Sequence, residues 1–218
     1  MKIQSSPPAV GNKRVFRAER VPLPLGIAPR QAGEALLEAI ALGKSIDLEI
    51  GCGVGWHPIQ YAQENPDRVL VAIERTREKF EKFEERLSRH PTLPNLIPVH
   101  ADAVAWITHF VPANTFEKVF LLYPNPNPKN PQARWIRMPF FSMLLDKWRS
   151  GGRIEIRTNI EKYADEVEAG ATEWNLIVES RKRFSREGTP EFQGETHFEQ
   201  KYLARGETCY SVTLASMS

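Results

Sequence analysis

The sequence predicts an α/β protein, a single domain with a doubly wound, mostly parallel sheet of seven strands. First, short apolar runs of strand length alternate with amphipathic helical patterns from about residue 31 onward. This alternation is typical of parallel strands whose connecting helices cover both faces of a sheet. Second, a glycine-rich turn directly follows the first apolar run, as in a nucleotide-binding corner. Third, 218 residues are enough to bury one good core.

The composition is that of an ordinary globular protein, with 41% hydrophobic and 26% charged residues. The net charge of +2 predicts no general attraction to nucleic acid, although a local basic patch is compatible with it. The two cysteines, Cys52 and Cys209, fit neither a disulfide framework nor a metal site, which suits a reducing compartment. No apolar run is long enough to span a membrane and no signal-peptide core is visible, so we predict a cytoplasmic protein.

The glycine corner is the most informative stretch of the chain. A strand is predicted at Ile46–Ile50, and glycines follow it at positions 51, 53 and 55. Without Cβ atoms these residues allow a tight turn and a close approach of a ligand to the backbone. A helix opens at Trp56. Dinucleotide sites require GxGxxG, so the GxGxG spacing points to a different nucleotide ligand.

Regular elements are predicted along the remaining chain as follows. Further strands are predicted at 69–73, 95–100, 118–122, 153–158 and 209–214, with one more beginning at 176. Helices are predicted at 31–42, from 56 to before Pro66, at 75–89, after Asp102, from 140 through Trp148 to an end at Gly151-Gly152, and at 163–174.

Residues 1–30 are predicted to be an irregular N-terminal arm, and residues 31–218 the folded domain. Five prolines disfavour regular structure in the arm, and Lys13, Arg14, Arg17 and Arg20 make it basic. The arm either wraps the domain surface or contacts a polyanion. We favour the first interpretation, because runs of charge are usually only solvated.

Two acidic residues stand at the ends of predicted strands. Glu74 lies about twenty residues beyond the glycine loop, where a carboxylate can bind both hydroxyls of a ribose, although a solvated surface role is the alternative. Asp102 follows the third strand and could simply be the N-cap of the next helix. His100 and His109 have no partners at metal-ligand spacing, so no metal site is predicted.

A stiff polar loop, Tyr123–Lys129, follows the fourth strand. Its sequence YPNPNPK alternates prolines with polar residues, which holds the polar side chains in place at low entropic cost. Loops at the carboxyl ends of central strands are where α/β sheets bind ligands. This loop is therefore the predicted acceptor side of the site.

Taken together, these motifs resemble the tRNA (guanine-N7-)-methyltransferase family, which has the Rossmann-like fold of class I S-adenosylmethionine-dependent methyltransferases. The resemblance extends from about Arg30 to Leu214. It rests on the Glu49–Gly55 corner, Ile73-Glu74, Ala101-Asp102-Ala103, the PNPNPK loop, a Gly-Gly-strand-Thr-Asn stretch and Thr196-His197-Phe198-Glu199. The last segment, T-x-F-E, discriminates best, because class I methyltransferases in general lack it.

The resemblance implies a methyltransferase with S-adenosyl-L-methionine as cofactor and tRNA as partner, acting in tRNA modification, as a monomer or a homodimer. It implies cofactor binding by Glu49, Gly51, Gly53, Gly55, Glu74, Asp102, Ala103 and Asn125. It implies that Lys129, Asn159, Thr196, His197, Phe198 and Glu199 face the substrate.

Asn125 is the candidate catalytic residue, and it departs from the family pattern. The family has aspartate there, tryptophan at position 127 and aspartate at position 159, where this chain has asparagine each time. Guanine N7 is a free lone pair, so its methylation needs alignment and charge stabilisation rather than a base. An asparagine keeps the shape of aspartate but not its charge, a loss of about 2–4 kcal/mol at such a site.

Three functions are therefore open from the sequence. The first is methylation of guanine N7 in tRNA. The second is methylation of a different acceptor: the Asn-Pro pair is similar to the [DN]PP[FY] loop of amino-group methyltransferases, although Pro128 stands where the aromatic residue is expected. The third is a non-catalytic relative that binds RNA or cofactor. The complete cofactor half favours the first two.

Overall fold

The computed structural model describes residues 15–90, 93–189, 191 and 194–216. One seven-stranded sheet runs through this part of the chain in the order β3-β2-β1-β4-β5-β7-β6. The strands are β1 Ser45–Ile50, β2 Arg68–Glu74, β3 Leu96–His100, β4 Phe116–Leu122, β5 Trp148–Thr158, β6 Leu176–Phe184 and β7 Cys209–Ser216. The first five pair in parallel, and β7 inserts antiparallel between β5 and β6. The predicted fold class is confirmed.

The helices are α1 Ile27–Ala41, α2 Trp56–Glu64, α3 Arg77–Leu87, α4 Ala103–Phe110, α5 Phe140–Lys147, α6 Glu161–Ala171 and α7 His197–Ala204. Helix α1 begins four residues before the predicted start at Gln31. Pro29 lies in its first turn, where a missing backbone N–H costs nothing. The arm's Lys13 and Arg14 lie outside the described residues.

The predicted helix end at Gly151-Gly152 is wrong. Helix α5 ends at Lys147, and β5 already begins at Trp148, which pairs with Phe116 of β4. Gly152 lies inside β5, at a position where a Cβ would overlap the backbone carbonyl of Glu117 and the Trp148 indole. Glycine is therefore required there. Gly152 permits a close approach of two strands, and the pair does not end a helix.

The two faces of the sheet carry separate cores. Helices α1, α4, α5 and α6 pack with one face in a large cluster that includes Trp106, Phe141 and Tyr163. Helices α2 and α3 pack on the opposite face in a smaller cluster around Phe83. The strand order reverses between β1 and β4, and α/β sheets bind ligands at such a switch point. The glycine turn after β1 and the proline loop after β4 both lie there.

Candidate active site

The glycine turn forms an open backbone cradle. Gly51, Gly53 and Gly55 all have left-handed φ angles, of +80°, +61° and +77°. A Cβ at Gly51 or Gly53 would meet no atom within 4 Å, so the space above both residues is free for a ligand. A Cβ at Gly55 would overlap the Phe83 ring, so this glycine is required by packing between the turn and α3. The residues present therefore fit a bound nucleotide.

Glu74 ties the end of β2 to this turn. Its carboxylate accepts hydrogen bonds from the backbone N–H of Gly53 at 3.0 Å and of Thr76 at 2.6 Å, one on each oxygen. Glu74 is 6% exposed and lines a cavity of about 560 Å³. This cavity is called the first cavity. The carboxylate is thus fixed in position by backbone donors, and its remaining lone pairs can accept from a ligand.

Asp102 caps α4, as one of the two interpretations expected. Its Oδ1 accepts from the backbone N–H of Ala105 at 3.1 Å. Its Oδ2 lies 3.8 Å from the Arg75 guanidinium and is half exposed. Asp102 and Ala103 line the first cavity together with Glu74. The capping bond uses one oxygen, so the cap and a ligand contact are compatible.

A second cavity of about 300 Å³ lies against the other side of the glycine turn. It shares Gly51, Leu122 and Phe198 with the first cavity, so the two are neighbours at the switch point. Glu49 and His57 form part of its wall. The His57 Nδ1 lies 2.7 Å from the Glu49 Oε2, and both residues are buried. His57 carries no signal in the glycine motif, and sequence reasoning missed it.

The proline loop presents Asn125 to the first cavity with a defined orientation. Asn125 Oδ1 accepts from the backbone N–H of Asn127 at 3.0 Å, and the Asn125 carbonyl accepts from Asn127 Nδ2 at 3.1 Å. The backbone N–H of Asn127 needs an acceptor, so the carboxamide atom on that side is Oδ1, and this bond sets the amide flip. The NH₂ group lies on the opposite side of the carboxamide from the Asn127 N–H, and Asn125 lines the first cavity.

Arg134 anchors this loop from below, a role that the sequence did not reveal. Its Nε donates to the Pro126 carbonyl at 2.6 Å, and its Nη1 pairs with Glu166 of α6. Its guanidinium lies 5.2 Å from the centre of the Tyr163 ring, and the residue is 8% exposed. Burial raises the pKa of the Tyr163 hydroxyl to about 12, so that hydroxyl is neutral beside the cation. The loop is therefore held by a buried cation.

Helix α7 carries the T-x-F-E segment and closes the site from above. Thr196 is its N-cap and accepts from the backbone N–H of Glu199 at 3.0 Å. Glu199 accepts in return from the backbone N–H of Glu195 at 2.8 Å, from the Tyr123 hydroxyl at 2.9 Å and from Arg157 at 3.0 Å. This arrangement is similar to a capping box, except that Glu199 accepts from the residue before the N-cap, and its bonds also reach Tyr123 after β4 and Arg157 of β5.

The four residues of that segment divide into two pairs. Thr196 and Glu199 are buried, with Glu199 0% exposed, and their hydrogen bonds hold the start of α7; their contact with substrate stays a prediction. Phe198 is 39% exposed and lines both cavities, and His197 lines the second. Burial and the Glu199 charge raise the pKa of the Tyr123 hydroxyl, so it stays a donor to Glu199.

The other two predicted substrate residues lie outside the walls of these cavities. Lys129 is exposed in the same loop as Asn125. Asn159 follows β5, and its amide donates to Glu207 at 2.8 Å, which ties it to the segment before β7. Their contact with substrate stays a prediction.

Within the described ranges, no group of three or more His, Cys, Asp or Glu side chains could hold a metal ion. No helix of the described chain is long and apolar enough to cross a membrane. Both cysteines are free and buried, and burial raises the pKa of the Cys52 thiol. A neutral thiol beside the glycine turn is not a nucleophile.

The comparisons with known proteins agree with this geometry. A family model described as "Putative methyltransferase" matches residues 43–212. The tRNA (guanine-N(7)-)-methyltransferase of Nitrosomonas eutropha is 29% identical over 164 residues, which are 74% of this chain and 71% of that protein. The enzyme of the same name from Anaeromyxobacter dehalogenans is 28% identical over 174 residues, 79% of this chain and 86% of that protein.

Solved structures show the same fold. The 16S rRNA methyltransferase KamB superposes with a TM-score of 0.62 at 18% identity, covering 83% of this chain and 93% of that one. A mutant 16S rRNA (adenine(1408)-N(1))-methyltransferase from Catenulisporales acidiphilia, solved with its cosubstrate SAM, gives a TM-score of 0.60 at 14% identity and covers 89% and 93%. Because the family model spans most of the chain, the resemblance is confirmed. This protein belongs to the family that the matching model describes as "Putative methyltransferase", and it has the class I methyltransferase fold.

Proposed function

We propose that this protein transfers a methyl group from S-adenosyl-L-methionine to N7 of guanine in tRNA. One observation carries the proposal. The glycine cradle, two fixed carboxylates and the polar group of the proline loop meet at a single switch point of the sheet. The similarity to enzymes named tRNA (guanine-N(7)-)-methyltransferase over about three quarters of the chain supports the same acceptor.

The cofactor is assigned to the two cavities by the groups that line them. Glu74, with its carboxylate fixed by two backbone donors, would bind the ribose hydroxyls. Asp102 and Ala103 would bind the adenine from the same cavity. The methionine end would then pass Gly51 and Gly53 toward Glu49 in the second cavity. The cofactor supplies the electrophilic methyl group, and the protein supplies its alignment.

Asn125 would orient the acceptor base. Its free NH₂ group is a donor, and guanine presents two acceptors side by side, N7 and O6. A hydrogen bond to O6 would direct N7 at the methyl group, whereas adenine has an amino donor at that position. The exocyclic-amine alternative needs an acceptor on the loop, and Oδ1 and the main-chain oxygen of Asn125 each already use one lone pair on Asn127. The NH₂ group has no bond to Asn127 and suits the two acceptors of guanine, which supports a ring nitrogen as the methyl acceptor.

The tRNA would be held through its phosphates by exposed cations near the carboxyl edge and on the outer strand. Lys129 in the proline loop and Arg183 on β6 are both exposed. Phosphate contacts of this kind weaken as salt rises, because bound counterions are released on binding. A tRNA substrate also implies that the protein acts in the cytoplasm.

The deciding experiment is methylation of an unmodified tRNA transcript by purified protein with radiolabelled cofactor. Mass spectrometry of the digested product is expected to show 7-methylguanosine, and tRNA from a deletion strain is expected to lack it at the same position. Label on a different base would establish another acceptor. Binding without any turnover would identify a non-catalytic relative.

A further inference from the structure

His57 is a buried titratable residue that the glycine motif does not account for. It is the second residue of α2 and is 7% exposed. Its Nδ1 donates to the Glu49 carboxylate at 2.7 Å, and its ring packs against Phe120 with ring centres 5.2 Å apart. A buried carboxylate without a partner is strongly disfavoured. His57 is therefore what makes a charged Glu49 tolerable in this position.

The pair stands in the wall of the second cavity, beside Gly51 and Gly53. His57 also lines an open cleft of about 440 Å³ along β4 and β5, so this residue borders both the second cavity and that cleft. Glu49 Oε2 is committed to His57, which leaves Oε1 as the oxygen available to a ligand.

Charged and titratable groups from several elements surround the ring. They are Glu49 of β1, Tyr61 of α2, Glu155 and Arg157 of β5, and Glu195 before α7. Burial lowers the pKa of His57, but the charge of Glu49 and its hydrogen bond outweigh burial, so the pKa lies above the ordinary value of 6.5. Glu49 thus favours the charged form of the imidazole, and Nδ1 is the nitrogen that donates to it.

We propose that His57 is a positioning residue for the cofactor. Its Nδ1–H fixes the Glu49 carboxylate so that the other oxygen accepts from the ammonium group of the methionine end. This inference rests on the proposed function, because it requires S-adenosylmethionine in the two cavities. His57 itself touches neither the methyl group nor the acceptor base.

Two variants separate the hydrogen bond from the packing of the ring. His57→Phe keeps an aromatic ring against Phe120 and removes the donor. His57→Asn loses the ring but keeps an N–H donor at the branch position that Nδ1 occupies. Calorimetric titration with S-adenosylmethionine is expected to show affinity reduced at least tenfold in His57→Phe and within about threefold of wild type in His57→Asn.

A pH series gives a readout that a purely structural role would not move. Below its pKa the imidazole is a cation paired with Glu49, and above it a neutral ring donates to the same carboxylate, so the bond weakens as the pH rises. Because the pKa of His57 is raised, we expect wild-type affinity to fall relative to His57→Asn as the pH rises through that pKa, since His57→Asn has no titrating group at this position. Effects of the cofactor's own titration cancel in that ratio.

The outcomes are distinguishable. Equal affinity of folded His57→Phe and wild type overturns the inference while the proposed function stands. A folded His57→Asn that binds S-adenosylmethionine more than tenfold more weakly than wild type overturns it as well, even where His57→Phe does not fold, and so does a wild-type affinity that rises with pH relative to His57→Asn. A wild-type protein that shows no heat of binding overturns the proposed cofactor site, and the inference falls with it.

Discussion

Replacing Glu74 by glutamine tests the cofactor site most directly. The carboxylate is 6% exposed and accepts one backbone N–H on each oxygen, from Gly53 at 3.0 Å and Thr76 at 2.6 Å. Glutamine has nearly the same shape but only one oxygen. Its NH₂ group must therefore point at one of the two backbone donors, so either the side chain rotates or the glycine turn shifts.

The size of the effect follows from the hydrogen bonds lost. A hydrogen bond to a charged group contributes about 1.5–3 kcal/mol. If the ribose hydroxyls lose one such bond, the Kd for S-adenosylmethionine is expected to rise by about 10- to 100-fold. The unliganded protein should also lose about 1–2 kcal/mol of stability, because a buried N–H is left without its acceptor.

The effects on affinity and on stability can be measured separately. Thermal melts identify a temperature at which wild type and Glu74→Gln are both folded, and calorimetric titration at that temperature then gives the Kd of each. Glu81→Gln is the matched control, since Glu81 lies on α3 with a side chain 59% exposed and pairs only with Arg77 of its own helix. In kinetics, KM for the cofactor should rise more than kcat falls. An unchanged Kd in folded Glu74→Gln would refute the assignment of Glu74 to the ribose.

Three further changes test other parts of the structure. Asn125→Asp replaces the NH₂ donor by a second oxygen, which cannot donate to guanine O6. We therefore expect kcat/KM on tRNA to fall about tenfold. A rise in kcat/KM would mean instead that a carboxylate stabilises charge on the base. Gly55→Ala places a Cβ against the Phe83 ring of α3 at a φ of +77° and should lower the free energy of unfolding by about 3 kcal/mol, measured by thermal melts. The control Gly43→Ala has a similar φ of +69° and no atom within 4 Å of the new Cβ, so it should lower the free energy of unfolding by about 1 kcal/mol. Glu199→Gln leaves Arg157 with two carboxylates instead of three and should lower Tm by about 4–8 °C, and an unchanged Tm would show that the α7 clamp contributes little.

Much of the fold and part of the site could be read from the sequence because the signals are local. Apolar runs of strand length located the seven strands of the sheet, and helical periodicity located most of the helices between them. Glu74 was proposed from its distance to the glycine turn and Asp102 from its place before a helix; both line the first cavity, and their contact with the cofactor stays a prediction. Each of these inferences needs only neighbouring residues, so no knowledge of the tertiary structure was required.

The features that sequence reasoning missed depend on contacts between distant segments. The end of α5 coincides with the pairing of Trp148 with Phe116 of β4, and the role of Arg134 depends on Glu166 in another helix. Thr196 and Glu199 were expected to face substrate, but Glu199 is enclosed by Arg157 and Tyr123. A single sequence contains no signal for pairings between distant residues. The local Thr-x-x-Glu spacing does indicate a helix cap at Thr196.

Asn125 shows how the structure changes the meaning of a substitution. From the sequence alone, asparagine in place of aspartate removes a charge and predicts a slower or altered reaction. The structure adds that the carboxamide oxygen accepts from the backbone N–H of Asn127, so the NH₂ group is the part of the side chain without a bond to that residue and can act as a donor. Methylation at N7 needs no general base, and alignment alone can supply a large part of a rate enhancement. A loop that keeps its rigid prolines and its Arg134 anchor, and directs a donor at O6, therefore still meets the main physical requirement of the reaction.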